Sequence, residues 1–353
     1  MIKAQLATIG FLMVLFLLTG VIIGVIALYQ YSIFQKSSGI KTSEFISLLH
    51  NSWKNPPNTK DDLITILVLG LDEVAARNQT ALTDTIMLLS LNTKTGTINL
   101  LSLPRDLWVE EYQTKINALY FYSQKNNPIQ PTQFVMNSIE SITGTTIDRV
   151  VPITLEQIAE LVNAVHGLEI TVSEPFVDEH FPRPNIDPSK ESDITVLQQT
   201  VAFEKGVQTM DGARVLEYIR SRQSEGVSGS DDSRTQRQQQ VLLALVNKLQ
   251  SKAIILNPKV VGSLVTWYKE NFDTYWSISD LLSIGFEWLR NDAKIELSTH
   301  SLSIAPKNTT DGILMHPPTW RYQNQWVYVA TESASFKNTI YQMLYVNTKP
   351  DSI

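Results

Sequence analysis

The sequence predicts an α/β (α+β) fold: a central mixed β-sheet covered by helices, preceded by one N-terminal transmembrane helix. Three observations carry this expectation. Residues 6–29 are apolar without a single charge. Apolar runs at 62–72 and 84–106 have strand length and loop-like borders. From residue 132 onward, segments of helical spacing alternate with short apolar strands.

The N-terminal run exceeds the roughly 20 residues that an apolar helix needs to cross a bilayer. It is too long for the apolar part of a signal peptide and no small-residue cleavage site follows, so it is expected to be an uncleaved signal anchor at 6–29, after a tail at 1–5. Lys3 precedes the span while Lys36 and Lys41 follow it, so the positive-inside count does not favour an outside domain. The short tail and the absence of cysteine favour an expectation that the bulk of the chain lies outside the cell membrane. Residues 30–59, ending in NPPNTKDD, are expected to be a juxtamembrane linker, and 60–347 an extracytoplasmic domain.

Composition excludes several classes of function. The chain has 353 residues, a formal charge of -6 and no cysteine. Net negative charge argues against a nucleic-acid partner, which needs a broad basic surface. Without cysteine there is no disulfide, thiolate metal site or thiol nucleophile. The five histidines show no metal-ligand spacing, so no zinc site is expected.

DLITILVLGLD (62–72) is expected to be a buried strand. DTIMLLSLNTKTGTINLLSLPRD (84–106) has two apolar runs around NTKTGT, a hairpin signal, and its nearly continuous apolarity implies a sheet covered on both faces. Helices are expected at 132–141 and 155–165, flanking a strand in DRVVPIT, with Gly167 stopping the second before the strand LEITV. A helix is expected at 207–217 and a longer one at 234–249. Helices near 258–270, 278–290 and 335–345 and strands near 295–303 and 326–330 complete the chain.

The chemistry-bearing residues gather at strand ends. Asp72 closes the first strand and Asp84 opens the second, so adjacent antiparallel strands bring both carboxylates to one sheet edge. Such a pair suits Mg²⁺, which recruits phosphate oxygens, or supplies a general base; aspartates also serve there as turn residues. The third strand ends in SLPRD, and the hairpin returns Arg105 to the side of Asp84. In the following KINALY, Lys115 offers a phosphate contact and Asn117 a hydrogen bond, although the segment equally suits a loop entering a helix.

Four arginines fall within eighteen residues of this acidic chain: Arg220, Arg222, Arg234 and Arg237. Guanidinium forks donate paired hydrogen bonds to phosphate and stay charged. A solvated charged face is the alternative. Arg220 and Arg222 share a face only if the chain leaves its helix extended. Arg234 and Gln238, four apart on a helix, lie on one face, while Arg237 belongs to a neighbouring one and suits a structural role.

Four stretches in order, VLGLD…LTDTIMLLSLNTKTGTINLLSLPRDLWV, KINALY, FEKGVQTMDGARVLEYIRSR and DDSRTQRQQQVLLAL, resemble the LytR–CpsA–Psr family across 62–250. The resemblance implies a membrane-anchored phosphotransferase. Such an enzyme moves a glycopolymer from a polyprenyl pyrophosphate carrier to a cell-wall glycan acceptor, assisted by Mg²⁺, with Mn²⁺ as the alternative. It implies Asp84 as a metal ligand, and Asp72 as a metal ligand or the base for the acceptor hydroxyl. Arg105, Lys115, Asn117, Arg220, Arg222, Arg234 and Gln238 would hold the pyrophosphate. The chain departs from the pattern at Val74 and Leu82, where many members carry arginine; Arg77 lies in the same loop. Two alternatives remain: a pyrophosphatase with water as acceptor, and a non-catalytic lipid- or glycan-binding envelope protein.

Overall fold

The structure, a computed structural model, describes residues 24–71, 82–126, 130–183, 186, 190–221, 231–306 and 309–346. The expected membrane span at 6–29 therefore falls outside the described residues as far as residue 23. Among those described, no helix is long and apolar enough to cross a membrane.

A five-stranded sheet forms the centre, in the order Glu296–Ser301, Thr97–Leu103, Thr83–Asn92, Leu63–Leu71, Arg149–Thr154. The three middle strands pair antiparallel, and each outer strand runs parallel to its neighbour, giving the mixed sheet expected. Period-2 alternation sorts its side chains into two cores. Leu67, Leu69, Leu88 and Leu101 point to one face, where they meet Ile116, Ile139, Phe336 and Ile340. Ile64, Ile66, Leu91 and Ile98 point to the other, against Trp276 and Ile284. Coverage of both faces explains why these strands are apolar at nearly every position.

A third core joins the Leu168–Val172 and Gly206–Met210 strands to three helices, Leu155–Ala164, Gly212–Arg220 and Asp231–Leu249. The first helix starts in a reciprocal capping box between Thr154 and Gln157. The second starts at Asp211, whose carboxylate accepts the Arg214 N–H at 2.8 Å. Gly212 permits close packing of the two helices, because a Cβ there would lie 2.3 Å from the Ala159 carbonyl oxygen.

Two expectations are corrected. The helix read over 207–217 is a strand, Gly206–Met210, followed by a helix that begins at Gly212. The β-branched Val207 and Thr209 favour the strand, and Asp211 sets the helix start. The stretch 30–59 read as a linker is largely helical: one helix spans 24–38 and another Thr42–Lys54. Phe45, Leu48, Leu49 and Ser52 fall on one face of the latter, which lies against the Ile278–Arg290 helix with Trp53 and Phe286 rings 5.3 Å apart. A hairpin of Phe176–Pro182 with Gln198–Phe203 is an addition the sequence reading lacked.

Candidate active site

The hairpin register builds the first half of the site. Ile86 pairs with Leu103, so two residues further toward the open end Asp84 faces Arg105. Arg105 Nη1 donates to Asp84 Oδ1 at 2.9 Å, the proximity the hairpin implied. Both side chains retain access to solvent, at 24% and 20%.

Asp106 ties the next pieces together. Its carboxylate accepts Lys115 Nζ at 2.5 Å and lies 3.4 Å from Arg105 Nε. The short antiparallel pairing of Trp108–Val109 with Thr114–Lys115 returns Lys115 to this point. Asn117 is buried. Its backbone N–H donates to the Arg105 carbonyl at 3.3 Å and its carbonyl accepts the Thr83 hydroxyl at 3.0 Å. The segment Lys115–Asn117 thus latches the ends of the second and third strands.

Helix Asp231–Leu249 supplies the opposite wall. Arg234 and Gln238 line a cavity of about 380 Å³ together with Asp84, Arg105 and Asp106. Ser301–Ile304 and Tyr328 close it from the C-terminal part of the chain. Arg237 turns away, as the helical spacing required. It is buried, donates from Nη2 to the Ser221 carbonyl at 2.5 Å, and holds its guanidinium 4.9 Å from the Phe176 ring. Burial pushes its pKa down, while Tyr218 and Asp178 nearby pull it back up. Arg237 therefore fixes the chain leaving the arginine-bearing helix.

Arg220 ends the Gly212–Arg220 helix and Ser221 follows with φ -55° and ψ 126°; the expected exit through Arg222 lies outside the described residues. The Arg220 guanidinium lies 5.9 Å from the Phe181 ring, and Arg220 is not among the residues lining the cavity. Asp72 and Arg222 lie outside the described residues, as do Val74 and Arg77; Leu82 is 45% exposed. The structure thus brings Asp84, Arg105, Arg234 and Gln238 into one cavity, with Lys115 and Asn117 bracing its edge.

Sequence reasoning missed three parts of this arrangement: the bridging role of Asp106, the Ser301–Ile304 wall and Tyr328. Asp106 had a local signal, an acid directly after Arg105. The other two are brought in by long-range pairing of Glu296–Ser301 with the third strand and of Tyr328 N–H with the Asp106 carbonyl at 2.9 Å. A more open depression of about 530 Å³ lies elsewhere, around Asn163 and Asp211. Both side chains there are committed to the start of the Gly212–Arg220 helix, at 2.9 Å to Gly212 N and 2.8 Å to Arg214 N.

The group carries three cations, Arg105, Lys115 and Arg234, against Asp84 and Asp106, so it favours an anionic ligand. The donor set also fits a hard divalent cation. Asp84 presents a partly exposed carboxylate to the cavity. Among the described residues no cluster of three or more His, Cys, Asp and Glu side chains forms a metal cage. Mg²⁺ is commonly held by one or two carboxylates plus substrate phosphate, which needs no such cage.

A family model described as the LytR_cpsA_psr family matches residues 29–332. The Bacillus subtilis polyisoprenyl-teichoic acid–peptidoglycan teichoic acid transferase TagV is 26% identical over 256 residues, covering 69% of this chain and 59% of that protein. The TagT transferase of the same organism is 24% identical over 229 residues, covering 63% of each chain. This chain therefore spans about six-tenths of the length of these two relatives. The crystal structure of B. subtilis TagV superposes with a TM-score of 0.53 at 22% identity, covering 81% of this chain and 98% of that one, a likeness of fold.

Proposed function

This chain belongs to the LytR–CpsA–Psr family, and from that membership we propose that it is a membrane-anchored phosphotransferase. It would move a glycopolymer from a polyprenyl pyrophosphate carrier to a cell-wall glycan; the names of its relatives describe, for them, transfer of teichoic acid from a polyisoprenyl carrier to peptidoglycan. The observation that carries the reading is the convergence of Arg105, Arg234 and Asp84 on one cavity at the sheet edge. The apolar run 6–29 would anchor the domain on the outer face of the cell membrane, which raises its effective concentration relative to a lipid-linked donor.

In this mechanism an acceptor sugar hydroxyl attacks the phosphorus next to the glycopolymer. A new P–O bond forms, the bridging P–O bond breaks, and its electron pair leaves with polyprenyl phosphate. Asp72 orients the hydroxyl and takes its proton. Arg105 and Arg234 hold the non-bridging oxygens and stabilise the charge that grows on the leaving phosphate. Lys115 and Asp106 keep Arg105 in place. Asp84 would hold Mg²⁺, which supplies further charge neutralisation when bound; Asp72 as a second ligand is the alternative to its role as base.

The test is transfer by the full-length protein in lipid vesicles, from a polyprenyl-pyrophosphate-linked glycopolymer to wall glycan. Asp84→Ala and Arg105→Ala should each lower the rate by at least about a hundredfold while the protein stays folded. Near-normal transfer by both variants would sink the proposal. Cleavage of the donor without wall product would instead assign a pyrophosphatase, and donor binding without cleavage a non-catalytic binding protein.

A further inference from the structure

We propose that the turn from His316 to Tyr328 is a binding ledge for the uncharged sugar chain of the acceptor, running from the surface into the cavity. The proposal rests on the reading above that a glycan acceptor meets that cavity. Trp320 and Trp326 are 69% and 56% exposed, unusual for the largest apolar side chain. Trp53 is comparably exposed at 53%, but its aromatic contact is Phe286 of the Ile278–Arg290 helix, which does not line the cavity.

The rings are connected to the cavity. The Trp326 ring lies against the His316 ring, their planes tilted by 31°. His316 meets Tyr328 edge-on at 6.5 Å, and Tyr328 lines the cavity. Val327 between them is fully buried, and Tyr328 is half-buried against the core shared by the sheet, so Trp326 is the exposed end of the three. His316 is fixed by a 2.8 Å hydrogen bond from Nδ1 to the Val327 carbonyl. Tyr328 is fixed by backbone hydrogen bonds to Asp106 and Trp108, each 2.9 Å. Trp320 stands on the same turn, with the Arg321 guanidinium 4.9 Å from its ring.

The chemistry of this strip selects its ligand. An exposed aromatic face takes the C–H face of a pyranose ring, and the exposed amide of Asn324 suits hydroxyl and N-acetyl groups. Residues 312–331 contain no carboxylate, and Arg321 is their one permanent charge. A phosphate-rich polymer would call for more cations. The donor is held by its pyrophosphate in any case, whereas a neutral acceptor has no such handle and needs a surface of this kind.

The test uses the full-length chain in detergent with two probes, the N-acetylglucosamine tetramer and inorganic pyrophosphate with Mg²⁺. Trp326→Ala and Trp320→Ala should each weaken tetramer binding by about tenfold or more. Trp326→Phe should recover part of the loss, and pyrophosphate binding should stay within about twofold in every variant. A wild-type chain that does not bind the tetramer, or unchanged tetramer affinity in both alanine variants, overturns the proposal. If Trp326→Ala does not fold, Trp320→Ala decides by the same titration. Wild-type protein that binds the tetramer but not pyrophosphate would contradict the phosphotransferase reading and leave the ledge standing.

Discussion

Among single residues, the hairpin register was the strongest signal. The spacing of SLPRD and LTDT around NTKTGT was enough to set Arg105 beside Asp84, because antiparallel pairing leaves little freedom at the strand ends. The bridge from Lys115 to Asp106 was not legible, since it depends on how the chain returns after the third strand. It makes Asp106 a positioning residue. Asp106→Asn should lower kcat by about a hundredfold with a smaller change in KM, and Asp106→Glu should restore part of it; equal kcat values for Asn and wild type would remove that role. Acid stability belongs to another residue. Burial holds the His300 imidazole below its ordinary pKa. The unfolded chain then takes up a proton at a higher pH than the folded one, so stability falls as pH drops through about 6.5. Urea midpoints measured from pH 7.5 to 5 should fall less in His300→Gln than in wild type.

At the level of elements, periodicity located the sheet strands and the 234–249 helix within a few residues, and it separated Arg237 from Arg234 correctly. It failed where a short strand carrying the β-branched Val207 and Thr209 preceded a capped helix at 207–217, and where a short amphipathic helix, Thr42–Lys54, sat in a region with loop composition. The first was readable from Val207, Thr209 and the Asp211 cap, whereas the second depends on packing against the Ile278–Arg290 helix. The close approach of the Gly212–Arg220 helix to Ala159 gives a stability test. Gly212→Ala should cost about 1–3 kcal/mol, seen as a lower urea midpoint with an unchanged slope. The C-terminal helix Ser333–Tyr345 inserts Phe336, Ile340 and Leu344 into the core shared by the sheet. Ile340→Ala should therefore cost about 2–5 kcal/mol, the loss expected at a fully buried site rather than at an appendage.

Across the whole molecule, the mixed sheet with helices on both faces was legible from strand hydropathy, whereas the contribution of residues after 290 to the cavity was not. That wall arrives through a parallel strand pairing about two hundred residues apart, which a local pattern does not encode. The 24–38 helix is also integral to the domain. Ser37 Oγ donates to the Pro258 carbonyl at 3.3 Å, and Thr266 Oγ1 donates to the Ser37 carbonyl at 3.1 Å. A chain starting at residue 24 should leave the membrane fraction and keep its urea midpoint, whereas one starting at residue 39 should unfold at lower urea. On the proposed function, one cavity between the sheet edge and the Asp231–Leu249 helix holds the carrier's pyrophosphate. Calorimetric titration of the full-length protein with a short-chain polyprenyl pyrophosphate and Mg²⁺ tests this most directly. Binding should weaken by about tenfold or more in each of Arg105→Ala and Arg234→Ala; affinities equal to wild type in both variants would contradict it.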